Sequence, residues 1–322
     1  MRRFFAHSLT RRLLGALATL FGVSVLVFIM LRAIPGDQIS AGLGTEAAAL
    51  TPSQRAALEA YYGIDQPLLV QYFSWLGNLM TGNLGYSSRS QASVLELTAS
   101  SLPVTMQLAI FSIILALLVG IPLGMLAASR PNSARDLLSQ SVSLVGLSIP
   151  AFLLATTLLT VLAASLGFNP NGRGYATFWE DPSLNLQQML LPSLVLGFGI
   201  AAPIIRTTRT AVLDIASNDF VRTARAKGIA TRRLQFRHIL RNALVPIATM
   251  TGLQFGYLLG GAVVVEQIFS LPGIGRQVLI GIQQKEYALV QSTVLIIALA
   301  FVIVNLLTDL VYRIIDPRVR AE

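Results

Sequence analysis

No cysteine occurs among the 322 residues, so disulfides, thiolate chemistry and cysteine-ligated metals are excluded. Histidine is nearly absent too, with His7 and His238 the only two. Charge is scarce: Asp, Glu, Lys and Arg make up 12% of the chain, about half the share of an ordinary soluble domain. Lysine is confined to Lys227 and Lys285. Neither completes the G-x-x-x-x-G-K-[ST] loop that cradles nucleotide phosphates, so a P-loop ATPase is excluded as well.

What is present is apolar. Hydrophobic residues make up 54% of the chain and the mean hydropathy is +0.66. Six long apolar runs can be read: Leu13 to Leu31, Val104 to Ala128, Leu137 to Phe168, Leu190 to Ile205, Ala243 to Val265 and Ala288 to Thr308. A helix needs about 20 residues to cross a hydrocarbon core of about 30 Å. Backbone polar groups must be satisfied within the bilayer, and no alternating barrel strands occur, so the runs are helices. The fold class expected is an all-α integral membrane protein, one domain over 1–322 with six transmembrane helices. The third run exceeds one crossing, and Gly146, Pro150 and Gly167 are expected to kink or end it. Ala16-Leu17-Ala18 has the form of a signal-peptidase site, but it opens the first run rather than following it. The first helix is therefore expected to be retained.

Between the runs the cations are unevenly shared. The N-terminus, the second and fourth connections and the C-terminus hold 18 Arg and Lys, the alternate connections hold 5, and Arg32 ends the first helix. The positive-inside rule then predicts a multi-pass membrane protein with both termini and the basic fourth connection in the cytoplasm. The net charge of +9 follows from juxtamembrane basic residues beside anionic lipid, and no nucleic acid is needed to explain it.

The runs contain no Asp, Glu, Lys, Arg or His. Proton relays, voltage sensors and an intramembrane enzyme need such groups within the membrane. An ion-coupled secondary carrier acting without an ATPase subunit remains the alternative, because backbone carbonyls at broken helices can hold sodium. An ATP-driven system requires its ATPase on another polypeptide and a cytoplasmic surface on this one to receive it.

Residues 216–242 supply a candidate surface. Ser217 or Asn218 can cap a short helix, Asp219 suits its N-terminal end, and Arg225 and Lys227 suit its C-terminal end. Gly228 permits the left-handed residue that closes it. Thr231 is expected to cap a second helix ending at about Arg241, ahead of Pro246. Here "TARAKG" followed by "RHILRNALVP" resembles the cytoplasmic loop of ABC-importer permeases of the dipeptide/oligopeptide/nickel class. "YGIDQPLLVQYFSWLGNLMTGNLGYS" (62–87), "GIPLGMLAA" (120–128), "EQIFSLPGIGRQVL" (266–279) and "DPRVR" (316–320) resemble that family in the same order. Departures exist: Arg222-Thr223-Ala224 stands for the general importer's Glu-Ala-Ala, Asn83 for a usual Asp, and Ser93 for a common Pro.

The resemblance implies a type I ABC-importer permease subunit that translocates peptides or similar small solutes and performs no covalent chemistry. It implies ATPase docking through Asp219, Arg222, Ala224, Arg225, Ala226, Lys227 and Gly228. The implied partners are a second related permease, two ATPase subunits and an extracytoplasmic solute-binding protein. No cofactor is expected in this chain; ATP and Mg belong to the ATPase subunits, and no metal or catalytic residue is assigned. The loop with Glu266, Pro272, Gly273 and Arg276 is implied to face the delivered solute.

Two further expectations come from the residues. The outer connection 35–103 is too long for a bare link. Thr51-Pro52-Ser53-Gln54 is a capping-box start and Gly63 a stop, predicting a helix over 52–62. Leu68, Tyr72, Trp75, Leu76 and Leu79 then share one helical face. Because the spans lack charge, the path is expected to be lined by small and polar residues: Ser148, Thr156, Gln254 and Gly256. At the inner end Asp309 and Arg313 are spaced as an i,i+4 ion pair.

Overall fold

The computed structural model describes residues 2–34, 38–87, 89–167, 172 and 174–315. Helices dominate: α1 (Arg2–Ala33), α2 (Gln38–Leu43), α3 (Pro52–Tyr62), α4 (Leu68–Met80), α5 (Val94–Ser129), α6 (Ala134–Ser148), α7 (Ala151–Leu166) and α8 (Pro182–Ala216). There follow α9 (Asp219–Ala226), α10 (Thr231–Arg233), a π-helical segment Leu234–Ile239, α11 (Leu240–Gly261), α12 (Val263–Ile268), α13 (Ile274–Gln283) and α14 (Tyr287–Ile315). One antiparallel ribbon pairs Tyr86 with Ser93 and Ser87 with Ala92.

Among the described residues five helices are long and apolar enough to cross a membrane, and α6 with α7, bent by 94° at their break, make six if the pair is one span. The six apolar runs are thus recovered. In the long third run the break falls at Ile149–Pro150, where Pro150 heads α7. Gly167 ends α7 in the left-handed region (φ +62°). Gly146 does not kink α6. It lies against α8, where an added Cβ would stand 3.1 Å from the Phe198 carbonyl oxygen.

The chain divides into two compact units, 1–103 with 273–302 and 104–272 with 303–322. In the first, Val27 and Leu31 of α1 pack with Tyr287 and Val290 of α14, beside Trp75 of α4. The predicted helix over 52–62 is α3: Thr51 and Gln54 form the reciprocal capping box, Pro52 is its first residue, and Gly63 closes it at φ +64°. Of the expected α4 face, Tyr72 is buried and Trp75, Leu76 and Leu79 are half-buried, while Leu68 is exposed. Tyr72 meets Phe28 edge-to-face at 5.2 Å, and its hydroxyl lies 2.8 Å from that of Ser24. The buried Glu286 carboxylate accepts from the Ser87 hydroxyl and the Arg89 N–H, tying the ribbon to the start of α14.

In the second unit α8 is the central helix, and glycines on both α5 and α8 let these two helices approach closely. A Cβ added at Gly120 or Gly124 of α5 would fall within 2.6 Å of α8 side chains, and one at Gly197 would fall 2.9 Å from the Ser112 carbonyl oxygen. Around these contacts Leu108, Met189, Ile200, Ile204, Leu258 and Phe269 form one core. Asp136 of α6 is held by a fork from Arg209 of α8, with Nε to Oδ1 at 2.7 Å and Nη2 to Oδ2 at 2.8 Å. The Asn132 N–H and the Gln140 amide donate to the same carboxylate. The charge is therefore paired and fully hydrogen-bonded, the condition under which a carboxylate is tolerated in an apolar setting. The side chains of Asp309 and Arg313, and residues 316–320, lie outside the described residues.

Candidate coupling segment and cavity

Asn218 takes extended backbone angles at the N-cap position of α9, though its side chain makes no capping hydrogen bond; Asp219 occupies the first turn and Arg225 the last. Arg222 and Asp219 make an exposed pair at 3.3 Å. Past the helix the chain closes in a Schellman turn. Gly228 lies at φ +76°, its N–H donates to the Arg225 carbonyl at 2.9 Å, and the Ile229 N–H donates to the Ala224 carbonyl at 3.2 Å. The apolar contact that accompanies this motif is also present. Ala224 and Ile229 pack against the cluster of Val212, Val221, Leu234, Ile239 and Ala243.

This arrangement sorts the expected docking residues. Asp219, Arg222, Arg225, Ala226, Lys227 and Gly228 are exposed. Ala224 is not on that face: it is half-buried against its own chain, because the turn needs an apolar residue three before its end. Sequence reading missed Phe220, 46% exposed beside Asp219, and Phe236, 54% exposed just past the turn. A phenylalanine in a charged helix was the available signal, since its apolar face has nothing to cover it in sequence.

The second helix does not end near Arg241. From Thr231 it runs through the π segment and Pro246 to Gly261. A wide turn leaves carbonyls without their usual donors, and the Asn242 side-chain amide supplies one to the His238 carbonyl at 2.6 Å. Proline costs only its own N–H and some bending, so the helix continues.

A cavity of about 400 Å³ is lined by residues of α1, α3, α4, the ribbon and α14, Arg32 and Trp75 among them. A second, of about 310 Å³, opens at the break between α6 and α7 and is lined by Gly146, Pro150, Leu154, Gly199, Gln254 and Tyr257, among others. Of the four expected path residues only Gln254 lines it. Ser148 and Thr156 are exposed and turn their hydroxyls back onto the Leu144 and Phe152 carbonyls, and Gly256 is half-buried off the cavity wall. Serine and threonine in apolar helices commonly make these local bonds.

Glu266 does not face outward. It is fully buried in α12, where the Thr105 hydroxyl donates to it. Its neighbours along the chain differ: Pro272 is exposed, Gly273 buried and Arg276 half-buried. In the connection before α8, burial pushes the Tyr175 phenol up, and the Thr177 N–H and hydroxyl hold the exposed Glu180 carboxyl down.

Residues 120–321 match the family described as "Binding-protein-dependent transport system inner membrane component", and residues 1–109 match its N-terminal segment. The glutathione transport system permease protein GsiC of Escherichia coli O6:H1 strain CFT073 is 39% identical over 310 residues, covering 96% of this chain and 97% of that protein. The proteins of the same name from Escherichia coli strain K12 and Shigella flexneri serotype 5b are 38% identical over the same coverage. This chain belongs to the family of inner-membrane components of binding-protein-dependent transport systems: it is a multi-pass permease subunit of an ABC importer, a transport component and not an enzyme.

Proposed function

We propose that the chain imports short peptides, glutathione-like solutes included, delivered by an extracytoplasmic binding protein, and that α9 is its mechanical input from an ATPase. The observation that carries this is the two-sidedness of α9. Val221 and Ala224 seat one face on the chain's own cluster, while Phe220, Arg222, Arg225 and Lys227 leave the other bare. A helix locked to its spans on one side and unpartnered on the other transmits displacement. Its partner is an ATPase subunit holding ATP and Mg. A second, related permease completes the two docking positions of an ATPase pair. Both termini and 206–242 are cytoplasmic, in keeping with the 18-to-5 cation bias. The relatives named for glutathione transport favour a small peptide as cargo.

The test is Gly228→Val in the assembled complex. A β-branched residue in the left-handed region costs about 1–2 kcal/mol, which the turn must relieve by reorienting α9. No side chain stands within 4 Å of the new Cβ, so insertion and folding persist while solute-stimulated ATP hydrolysis falls at least tenfold. Unchanged stimulation would refute docking through α9.

A further inference from the structure

The cavity at the break between α6 and α7 lies wholly within the second unit, and its walls carry no charged side chain; Gln254 and Tyr257 are the polar ones. Gln254 is half-buried, and among the described residues its amide has no hydrogen-bond partner. The unpaired amide atoms sealed inside the protein belong to Gln277 and Gln291, whereas those of Gln254 stay accessible. An amide on an apolar wall that neither turns back onto its own helix nor meets a neighbour takes its partner from what enters the cavity.

The backbone adds an acceptor. Pro150 has no N–H to give to the Gly146 carbonyl four residues earlier, and among the described residues no other backbone N–H takes its place. The Gly146 oxygen faces Gly199 of α8 instead: a Cβ added at Gly199 would stand 3.9 Å from it and would meet nothing else within 4 Å. A glycine thus keeps the space in front of an unsatisfied oxygen open. In an apolar span such an oxygen is tolerated only against protein or a cavity.

A peptide group meets both needs. Its N–H can donate to the Gly146 carbonyl, and its carbonyl can accept from the Gln254 amide. A charged terminus fits poorly, because no wall residue would pair it. The volume of about 310 Å³ suits a small molecule.

We infer that this cavity is a binding site for the uncharged peptide group of a small solute, held by the Gln254 amide and the Gly146 carbonyl. Its use as a step in import rests on the proposed function; the binding itself does not.

Leu147 is a wall of the cavity and is 50% exposed. The chain has no cysteine, so Leu147→Cys provides a single reporter. The full chain bearing it would be held in phosphatidylcholine nanodiscs and alkylated with N-ethylmaleimide. N-acetylalanine N′-methylamide, an uncharged peptide mimic, should slow the alkylation saturably. Methyl 2-acetoxypropanoate, the diester of like shape without an N–H, should need at least tenfold more for the same protection. Ser53→Cys, in the other unit, should not be protected. Gln254→Leu removes the amide, and Gly199→Ala sets a methyl before the Gly146 oxygen in a helix that gains from alanine. Each should raise the half-protecting concentration at least fivefold. No protection, equal protection by amide and diester, protection of Ser53→Cys as well, or an unchanged half-protecting concentration in either variant would overturn the proposal. Protection seen only with sodium present would overturn the peptide assignment in favour of a cation on the freed carbonyl. None of these readouts involves ATP or transport, so failure of the importer reading would leave them unaffected.

Discussion

Replacing Gly124 with alanine should loosen the second unit by an amount the geometry allows to be worked out. The new Cβ would lie 2.5 Å from Thr208 Cβ and 2.7 Å from the Ile205 carbonyl oxygen. Carbon atoms rest at about 3.5–4.0 Å, so α5 and α8 must part locally by about 1 Å. The nearest atoms are a Cβ and a backbone oxygen, which no rotamer change can move. Forced overpacking of this kind costs about 1–3 kcal/mol, and helix propensity returns up to about 1 kcal/mol for Gly→Ala. The net loss should be about 1–2 kcal/mol. Gly22→Ala in α1 is the control, since nothing lies within 4 Å of its Cβ. It should be neutral or stabilising. Reversible unfolding in mixed micelles, read as helix content against denaturing detergent, separates the two. Equal stability of both variants would refute the close α5–α8 approach.

The orientation can be checked because the chain is naturally free of cysteine: Ser53→Cys and Ser217→Cys should label from opposite sides of the membrane. Asp136→Asn should lower the unfolding midpoint by leaving the Arg209 fork half-paired, and a second change, Arg209→Met, should recover part of the loss. Glu180 should titrate below an ordinary glutamate in carbon-13 carboxyl spectra, and Thr177→Ala should raise its midpoint. Because the folded value is depressed, this contribution to stability is complete above the unfolded value and disappears as pH falls through the folded one.

Local signals were legible and long-range ones were not. The capping box at Thr51–Gln54 and the glycines at 63, 167 and 228 act within a few residues, so their elements end where the sequence places them. Apolar run length located the spans for the same reason. Asp136 and Arg209 are 73 residues apart, and neither carries a mark of the other. Glu266 looked like a loop charge because it follows an apolar run. Its burial depends on Thr105, 161 residues away. Ser148 and Thr156 do not line the cavity at the α6–α7 break, and each hydroxyl satisfies itself on the preceding turn, as a hydroxyl in an apolar helix can. Residue type alone does not reveal that choice. Gln254 has an amide too large for that solution, and it does line the cavity.

Transport itself decides the central claim. The chain, co-purified with its ATPase and permease partners, would be reconstituted into vesicles with ATP on the side that carries α9. Radiolabelled glutathione or a dipeptide, with its binding protein, would be supplied on the other. Uptake should require ATP and the binding protein together and should be indifferent to dissipating the sodium and proton gradients. Uptake by the chain alone, driven by an ion gradient without ATP, would contradict the account.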